Sequence, residues 1–437
     1  MVYLAQESVE EMDSPSLLQK ATETLKTRIN DYNYKIDVRQ KPSNFSRKGI
    51  LGFINTVVLT LNFCARSIQV EIDDFFEVIG KPELTVTSTG FIDARAKLKP
   101  EAFSVLLDDT VKLASNAHPL LKTYNGYRIF AIDGSIIILE NTEALRGQFG
   151  VCGGEKGIAS ARLSTLTDVI NSGIIMDVQL TKCSVGERES ALCHHKKLES
   201  LGIADDSIIL YDRGYISGQM VNDLNSKAIH YVFRLRKGWN KDIDELEIDT
   251  DKILGIKPNE IPLIVRIVKF QLDNGEIETL LVDPKLPADI FTFLNMQEIY
   301  FYRWGIESNY RVLKSELQIE NFTGTNSLFI KQDVYATAVI LNLTAFAKLE
   351  SDEIIHGRTA LKKNKYQQKT NLNLLIAQMK NRLICALLAV CPEESSRIID
   401  DIVNKASRRT IPIRPGRSFP RIVRHRSKFS KCRKRAI

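Results

Sequence analysis

The chain has 437 residues, 44% hydrophobic and 26% charged, which is the balance of a folded protein with ample material for a core, and its length predicts two to four domains. No basic start followed by an apolar run opens it, so a secretory signal is not expected, and its longest apolar stretches (50–64 and 334–347) contain Asn or Thr and read as buried helices, not membrane spans. The net charge of +7 is unevenly held: residues 405–437 carry thirteen basic side chains and no acidic one, leaving −6 on the other 404. So dense a block of one sign reads as an arm that neutralises phosphates, the alternative being a solvated tail that aids solubility.

Residues 1 to about 120 read as helical, with apolar spacing of helical period at 16–30 and 45–64. Pro82 breaks the chain after 70–79, and Thr87-Ser88 caps a further predicted helix that Pro100 ends. That helix carries Arg95, Lys97 and Lys99, which suits either entry into a DNA groove or the solvated basic face of an ordinary bundle.

From Tyr127 the pattern changes to strands. Residues 127–132 are strand formers running into Asp133-Gly134-Ser135, and 136–139 continue apolar. Gly150, Gly153, Gly154 and Gly157 mark a loop that lacks the Gly-Lys-Ser/Thr ending of a phosphate-binding loop. Strands are predicted at 163–170 and 173–180, a helix at 187–201, a buried strand at 207–211 ending in Asp212-Arg213-Gly214-Tyr215, a helix at 217–226 and a strand at 229–235. Residues 238–287 are again β, with Asp273-Asn274-Gly275 as a hairpin turn, and read as a strand-rich insertion. Helices are predicted at 291–317, 330–349 and 372–388. Strands, then strand and helix in alternation, then helices argue for a mixed α/β core.

The seven cysteines, Cys64, Cys152, Cys183, Cys193, Cys385, Cys391 and Cys432, form no Cys-x-x-Cys pair, a usage that suits a reducing cytosol. Cys193-His194-His195 resembles a metal-binding tripeptide, but adjacent residues on a helix point in different directions and do not easily share one ion.

Three acids stand out by context. Asp133 and Asp212 each follow a strand-like run, where carboxylates on a mixed sheet converge at its edge. Glu307 lies in a helical stretch with Tyr300, Arg303 and Lys314, spaced 3, 4 and 7 apart, which at about 100° per residue keeps all four within a roughly 60° sector. An acid flanked by Tyr, Arg and Lys on one stripe suits a carboxylate that faces an anionic substrate. Three carboxylates brought together repel unless cations intervene, and magnesium takes hard oxygen ligands of this kind. Singly, Asp133 reads better as a turn residue before Gly134 and Asp212 as a helix cap after a strand, and the stripe with Glu307 also reads as a solvated helix face with ordinary charge pairs.

In combination, these motifs resemble those of the bacterial insertion-sequence transposases of the insertion-sequence-four family, the DDE type with a ribonuclease-H-like core. The family's Tyr-x2-Arg-x3-Glu-x6-Lys signature is matched by Tyr300, Arg303, Glu307 and Lys314. Its first acid, in Asp-Gly-Ser/Thr, is matched by Asp133-Gly134-Ser135, and its second, in Asp-x-Gly-Tyr/Phe, by Asp212-Arg213-Gly214-Tyr215. The resemblance covers about residues 85 to 430.

It implies a helical N-terminal domain (1–120) with a probable role in DNA binding, a ribonuclease-H-like catalytic core (121–330) with a β-rich insertion at about 238–287, C-terminal helices (331–404) and a basic tail (405–437). Asp133, Asp212 and Glu307 would be catalytic and would bind two magnesium ions, for which manganese can substitute; Tyr300, Arg303 and Lys314 would contact DNA. The reaction implied is strand hydrolysis to a 3′-hydroxyl, hairpin formation and strand transfer. Its partners are double-stranded DNA (terminal inverted repeats and target) and a second copy of the chain in the synapse, in a bacterial cytoplasm near the nucleoid, with no membrane. Trp239 and Trp304 are candidate platforms for a flipped base, with core packing the stronger reading of each, and Arg213 and Tyr215 divide evenly between DNA contact and packing. Two other readings remain: a ribonuclease-H-like nuclease or resolvase, which cuts without joining, and a transposase-derived DNA-binding protein without catalysis.

Overall fold

In the computed structural model, which describes residues 15–414 apart from 48, 63–65, 154–156, 273, 361, 363 and 364, the chain divides into two units. One takes in the residues up to Leu113 together with those from Leu343; the other, residues 114–342, carries a nine-stranded sheet. The basic tail beyond Arg414, together with Cys64, Gly154, Asp273 and Cys432, lies outside the described residues.

The strands are β1 (Arg128–Ile138), β2 (Val151–Cys152), β3 (Ile158–Asp168), β4 (Ile174–Lys182), β5 (Ser207–Tyr211), β6 (His230–Arg234), β7 (Thr250–Ile256), β8 (Leu263–Gln271) and β9 (Ile277–Val282). β3 pairs antiparallel with both β4 and β1, and β1, β5 and β6 then follow in parallel. The spatial order β4-β3-β1-β5-β6, three antiparallel strands continued by two parallel ones, is the ribonuclease-H-like arrangement expected from the sequence. β2 pairs with the start of β3. The strands between 238 and 287 do not form a separate layer: β9 pairs antiparallel with β6, so β9, β8 and β7 extend the core sheet.

β5 shows why the core sits where it does. Its Ser-Ile-Ile-Leu-Tyr run is buried at every position, as expected of a strand with parallel neighbours on both edges. A helix at Glu187–Leu201 packs on β3, β4 and β1, one at Gly218–Ser226 on β6, and one at Trp304–Arg311 on β1. The Ser327–Thr359 helix reaches β4 through buried Asn342, whose amide accepts from the Ile175 N–H (2.7 Å) and donates to the Ile175 carbonyl (2.9 Å), satisfying both backbone groups there.

In the unit that carries the sheet, two elements differ from the sequence expectation. β1 does not end at Asp133 but runs on through Gly134 and Ser135, because β3 pairs with it along its whole length. The helix expected over 291–317 is three pieces: Phe293–Phe301, Trp304–Arg311 and a π-helical turn at Val312–Glu316. Neither Tyr302 nor Arg303 is a helix breaker, and Gly305 follows in the first turn of the second piece.

In the helical unit, Leu17–Asn30 opens with a capping box between Ser16 and Gln19 and buries Leu17, Leu18, Ala21, Leu25 and Ile29 on one face. That face packs on the helices Arg382–Leu388 and Pro392–Ser407, so the first and last described helices share one core. The single helix expected over 372–388 is interrupted at Asn381, whose φ is +64°. Thr87 caps Ser88–Arg95 as expected, but Arg95 is fully buried and therefore cannot enter a DNA groove from this position; Lys97 remains exposed. Among the described residues no helix is long and apolar enough to cross a membrane.

Candidate active site

The parallel ladder between β1 and β5 pairs Phe130 with Ile209 and Ala131 with Leu210. Continued by two residues, the same register sets Asp133 level with Asp212, at the point where β5 ends and β1 goes on beside β3 alone. Strand neighbours stand about 4.8 Å apart, so side chains at one level share a site. Asp133 Oδ1 accepts from the Gly134 N–H at 2.9 Å. The Asp133 carboxyl is pushed up to about 6, chiefly by burial; the Gly134 bond and Arg303 oppose the shift, and the charges of Glu187 and Asp212 add to it. The Asp212 Oδ1 atom is buried and has no hydrogen-bond partner.

Glu307 reaches this region on the Trp304–Arg311 helix. Two hydroxyl groups tie the helical stretch to the sheet. Tyr300, 6% exposed, donates to the Tyr211 carbonyl at 3.3 Å, next to Asp212. Tyr310 donates to the Asp133 carbonyl at 2.7 Å and lies 3.1 Å from the Leu163 carbonyl. Glu307 lies between these tethers in sequence. Lys314, on the π-helical turn, donates to the Ile136 carbonyl of β1 at 2.9 Å and lies 3.7 Å from Glu320. Arg303 sits at the joint, 5% exposed, 3.4 Å from Glu307 and 5.0 Å from the centre of the Trp304 ring. Its guanidinium interacts electrostatically with Asp212, Glu307 and Asp133, which together hold its charge more firmly against the cost of burial.

The stripe of Tyr300, Arg303, Glu307 and Lys314 therefore faces the sheet edge. The structure aligns Asp133 with Asp212 and turns the Glu307 carboxylate to Arg303. Among the described residues no group of three or more His, Cys, Asp or Glu side chains is gathered closely enough to hold a metal ion. The donor set nonetheless fits a hard cation: two carboxylates at one level, one with an orphaned buried oxygen, and a third acid held beside them by a cation. A buried arginine that serves all three acids is the counter-charge their repulsion demands. Of the two aromatic candidates, Trp304 is 46% exposed beside Arg303. Of the residues following Asp212, Tyr215 is buried and Arg213 exposed.

Two residues were missed by reading the sequence. Tyr310 lies three residues after Glu307 and so nearly on its face, a spacing that could have drawn attention to it. Glu187, the first residue of its helix, carries no such signal. Its carboxylate pairs with Arg162 at 2.8 Å and lies over the backbone that follows each aspartate: a Cβ added at Gly134 would meet Glu187 Cγ at 3.2 Å, and one at Gly214 would meet Glu187 Oε2 at 3.6 Å. The glycine of Asp133-Gly134-Ser135 leaves the room that Glu187 and Arg162 fill.

Residues 124–343, a span that begins just before β1 and ends in the Ser327–Thr359 helix, match the transposase DDE domain family. The chain is 21% identical over 359 residues to transposase InsG for insertion sequence element IS4 of Escherichia coli (strain K12), covering 78% of this chain and 77% of that one. The piggyBac transposase, solved by cryo-EM in a synaptic complex with hairpin DNA, superposes with a TM-score of 0.49 at 9% identity, over 93% of this chain and 87% of that one.

Proposed function

The chain belongs to the transposase DDE domain family and is a DNA transposase, and from that premise we propose that Asp133, Asp212 and Glu307 are its catalytic and metal-binding acids and that it moves an insertion sequence by cut and paste. The substrate is double-stranded DNA: first the terminal inverted repeats, then the target. The steps are hydrolysis of one strand to a 3′-hydroxyl, attack of that hydroxyl on the opposite strand to give a hairpin, hairpin opening, and attack on target DNA. The active assembly is a homodimer with both ends bound, in a bacterial cytoplasm. One observation carries the reading: the β1–β5 register that sets two acids level, one of them with a buried, unpartnered oxygen.

Two magnesium ions, or manganese in their place, would supply the positive charge that activates an attacking oxygen and stabilises a leaving one. Asp133 and Asp212 would hold them from the sheet, and Asp133 must be ionised to do so, a condition met above about pH 6. Arg303 is the exchangeable partner. A DNA phosphate taken by its guanidinium competes with the Glu307 carboxylate and frees that carboxylate to join the aspartates. Tyr300 and Lys314 hold the helical stretch against β5 and β1 while the backbone of the transposon end is bound beside them. The chain's own contribution to rate is position and charge.

Cleavage and strand transfer on a duplex carrying the element's own terminal repeats test the proposal. Expected are a nicked 3′-end, a hairpin and a joined product with the unmodified chain in magnesium, and none of these with Asp212→Asn, which still binds the duplex. Cleavage without joining would assign a nuclease; binding without cleavage by the unmodified chain would assign a silent DNA-binding protein.

A further inference from the structure

His194 and His195 lie side by side on the Glu187–Leu201 helix, both fully buried, and they do not share a ligand. Each is bracketed by an aspartate on one ring nitrogen and a hydroxyl on the other. His194 Nδ1 is 2.7 Å from Asp177 Oδ2 on β4, and its Nε2 is 3.0 Å from the Ser164 hydroxyl on β3. His195 Nδ1 is 2.8 Å from Asp223 Oδ2 on the Gly218–Ser226 helix, and its Nε2 is hydrogen-bonded to the Tyr211 hydroxyl at the end of β5.

One chain of bonds ends at the backbone of Asp133 and the other at the side chain of the residue before Asp212. The Ser164 hydroxyl lies 3.3 Å from the carbonyl oxygen of Asp133. Tyr211 directly precedes Asp212, its carbonyl accepts from Tyr300, and its ring stacks on Phe233 with centroids 4.4 Å apart. Proton counting fixes the orientation of the rings. A carboxylate only accepts, so each Nδ1 carries a proton; the single Ser164 proton is then shared between His194 Nε2 and the Asp133 carbonyl, whereas Tyr211 has its own to give His195 Nε2. For His195 this assigns every group: Tyr211 donates to Nε2, and Nδ1–H donates to Asp223.

We propose that His194 and His195 are paired positioning residues, each fixing through one hydroxyl the backbone that presents one acid, His194 for Asp133 and His195 for Asp212. The proposal rests on the reading that these two aspartates hold the metal ions. It explains two adjacent buried histidines that metal-binding geometry cannot. Polar triads buried this deeply define a single arrangement only when every member is satisfied, as the His195 triad is. Metal sites depend on such outer partners because a carboxylate displaced by a fraction of an ångström loses its share of the ion.

Tyr211→Phe and Ser164→Ala test it, since each removes only the terminal hydroxyl of one relay; His194→Ala and His195→Ala are the stronger variants if they fold. Manganese affinity of the full-length protein without DNA is measured by calorimetry, end-DNA affinity by binding in calcium, and the melting temperature in chelator. Expected is a manganese affinity about 10-fold weaker in each hydroxyl variant, with end-DNA affinity unchanged. A lowered melting temperature with unchanged manganese affinity overturns the proposal and leaves the histidines as core packing. Asp133→Asn is the control: if it leaves manganese binding intact, the reading of the aspartates fails; if it abolishes binding while both hydroxyl variants keep it, the positioning role alone fails.

Discussion

The two aspartates and the glutamate are held by different kinds of structure. Asp133 lies in β1 and Asp212 directly follows the parallel strand β5, two steps past the last pair of the ladder between them, so the ladder limits how far their alignment can change. Glu307 rides on an eight-residue helix, with a joint at Arg303 before it and a π-helical turn after it, tied to the sheet by the side chains of Tyr300, Tyr310 and Lys314. A ladder fixes its residues, whereas a short helix on tethers leaves room for adjustment. The difference divides the site into a preformed pair and a recruited third acid, with Arg303 holding the third until substrate arrives.

The largest expected effects test that division. Asp133→Asn, Asp212→Asn and Glu307→Gln should each reduce strand cleavage by at least ~10³-fold, the scale of losing a group that acts only at the transition state. They should part company in a second measurement. Without DNA, either aspartate variant abolishes manganese binding, whereas Glu307→Gln leaves it within about 2-fold, because the glutamate contributes only once DNA occupies Arg303. Equal loss in all three variants would mean that the acids act as one cluster from the start.

The pH dependence of metal binding sharpens the same contrast. The Asp133 carboxyl titrates at about 6, above its unfolded value, so between about pH 4 and 6 the folded, metal-free protein binds a proton that the unfolded chain does not. The stability this gives is present at low pH and is lost as pH rises through 6, by an amount on the order of 3 kcal/mol. A metal ion must displace that proton, so manganese affinity should fall up to about 10-fold per pH unit below 6 and level off above it. Titrations from pH 5 to 8 check this; a flat profile would exclude Asp133 as a ligand. In Asp133→Asn the pH-linked loss of metal-free stability should shrink by that amount, while the shares of Asp168 and Glu350, also raised by burial, remain.

How far the sequence foretold this site follows the same line. Asp212 was legible because an unbroken apolar run of strand length ends on it, and Asp133 because strand formers run into it, although the continuation of β1 past it is set by β3, remote in sequence. The helical stripe was legible as a period, but not the two contacts that dock it on the sheet, Tyr300 to the Tyr211 carbonyl and Lys314 to the Ile136 carbonyl. The joint at Tyr302-Arg303 carries only the weak local signal of Gly305 two residues on. The burial of Arg95 and the aspartates that orient His194 and His195 depend on segments distant in the chain, which periodicity does not register.

The tethers should give intermediate effects. Tyr310→Phe removes a hydroxyl that reaches both the Asp133 and Leu163 carbonyls, so a loss of about 1–2 kcal/mol in stability is expected, with cleavage down about 10-fold. Tyr300→Phe removes one longer bond and should cost about half as much. Denaturant unfolding alongside cleavage rates measures both. If Tyr310→Phe lowers stability without slowing cleavage, the tether does not position Glu307.

Glu187 should give the smallest effect and decides where the preformed pair ends. It is an acid beside Asp133, but its side chain is 39% exposed and already paired with Arg162, so solvent screens it. Glu187→Gln keeps an oxygen for Arg162 and removes the charge. With less repulsion Asp133 loses its proton more easily, so the onset of manganese binding should move to lower pH by less than about half a unit, with no change at pH 8. A ligand behaves in the opposite way: its replacement weakens binding at every pH, most visibly at pH 8, where competition from protons has gone. The affinity at pH 8 therefore separates a neighbour that tunes Asp133 from a fourth acid of the site.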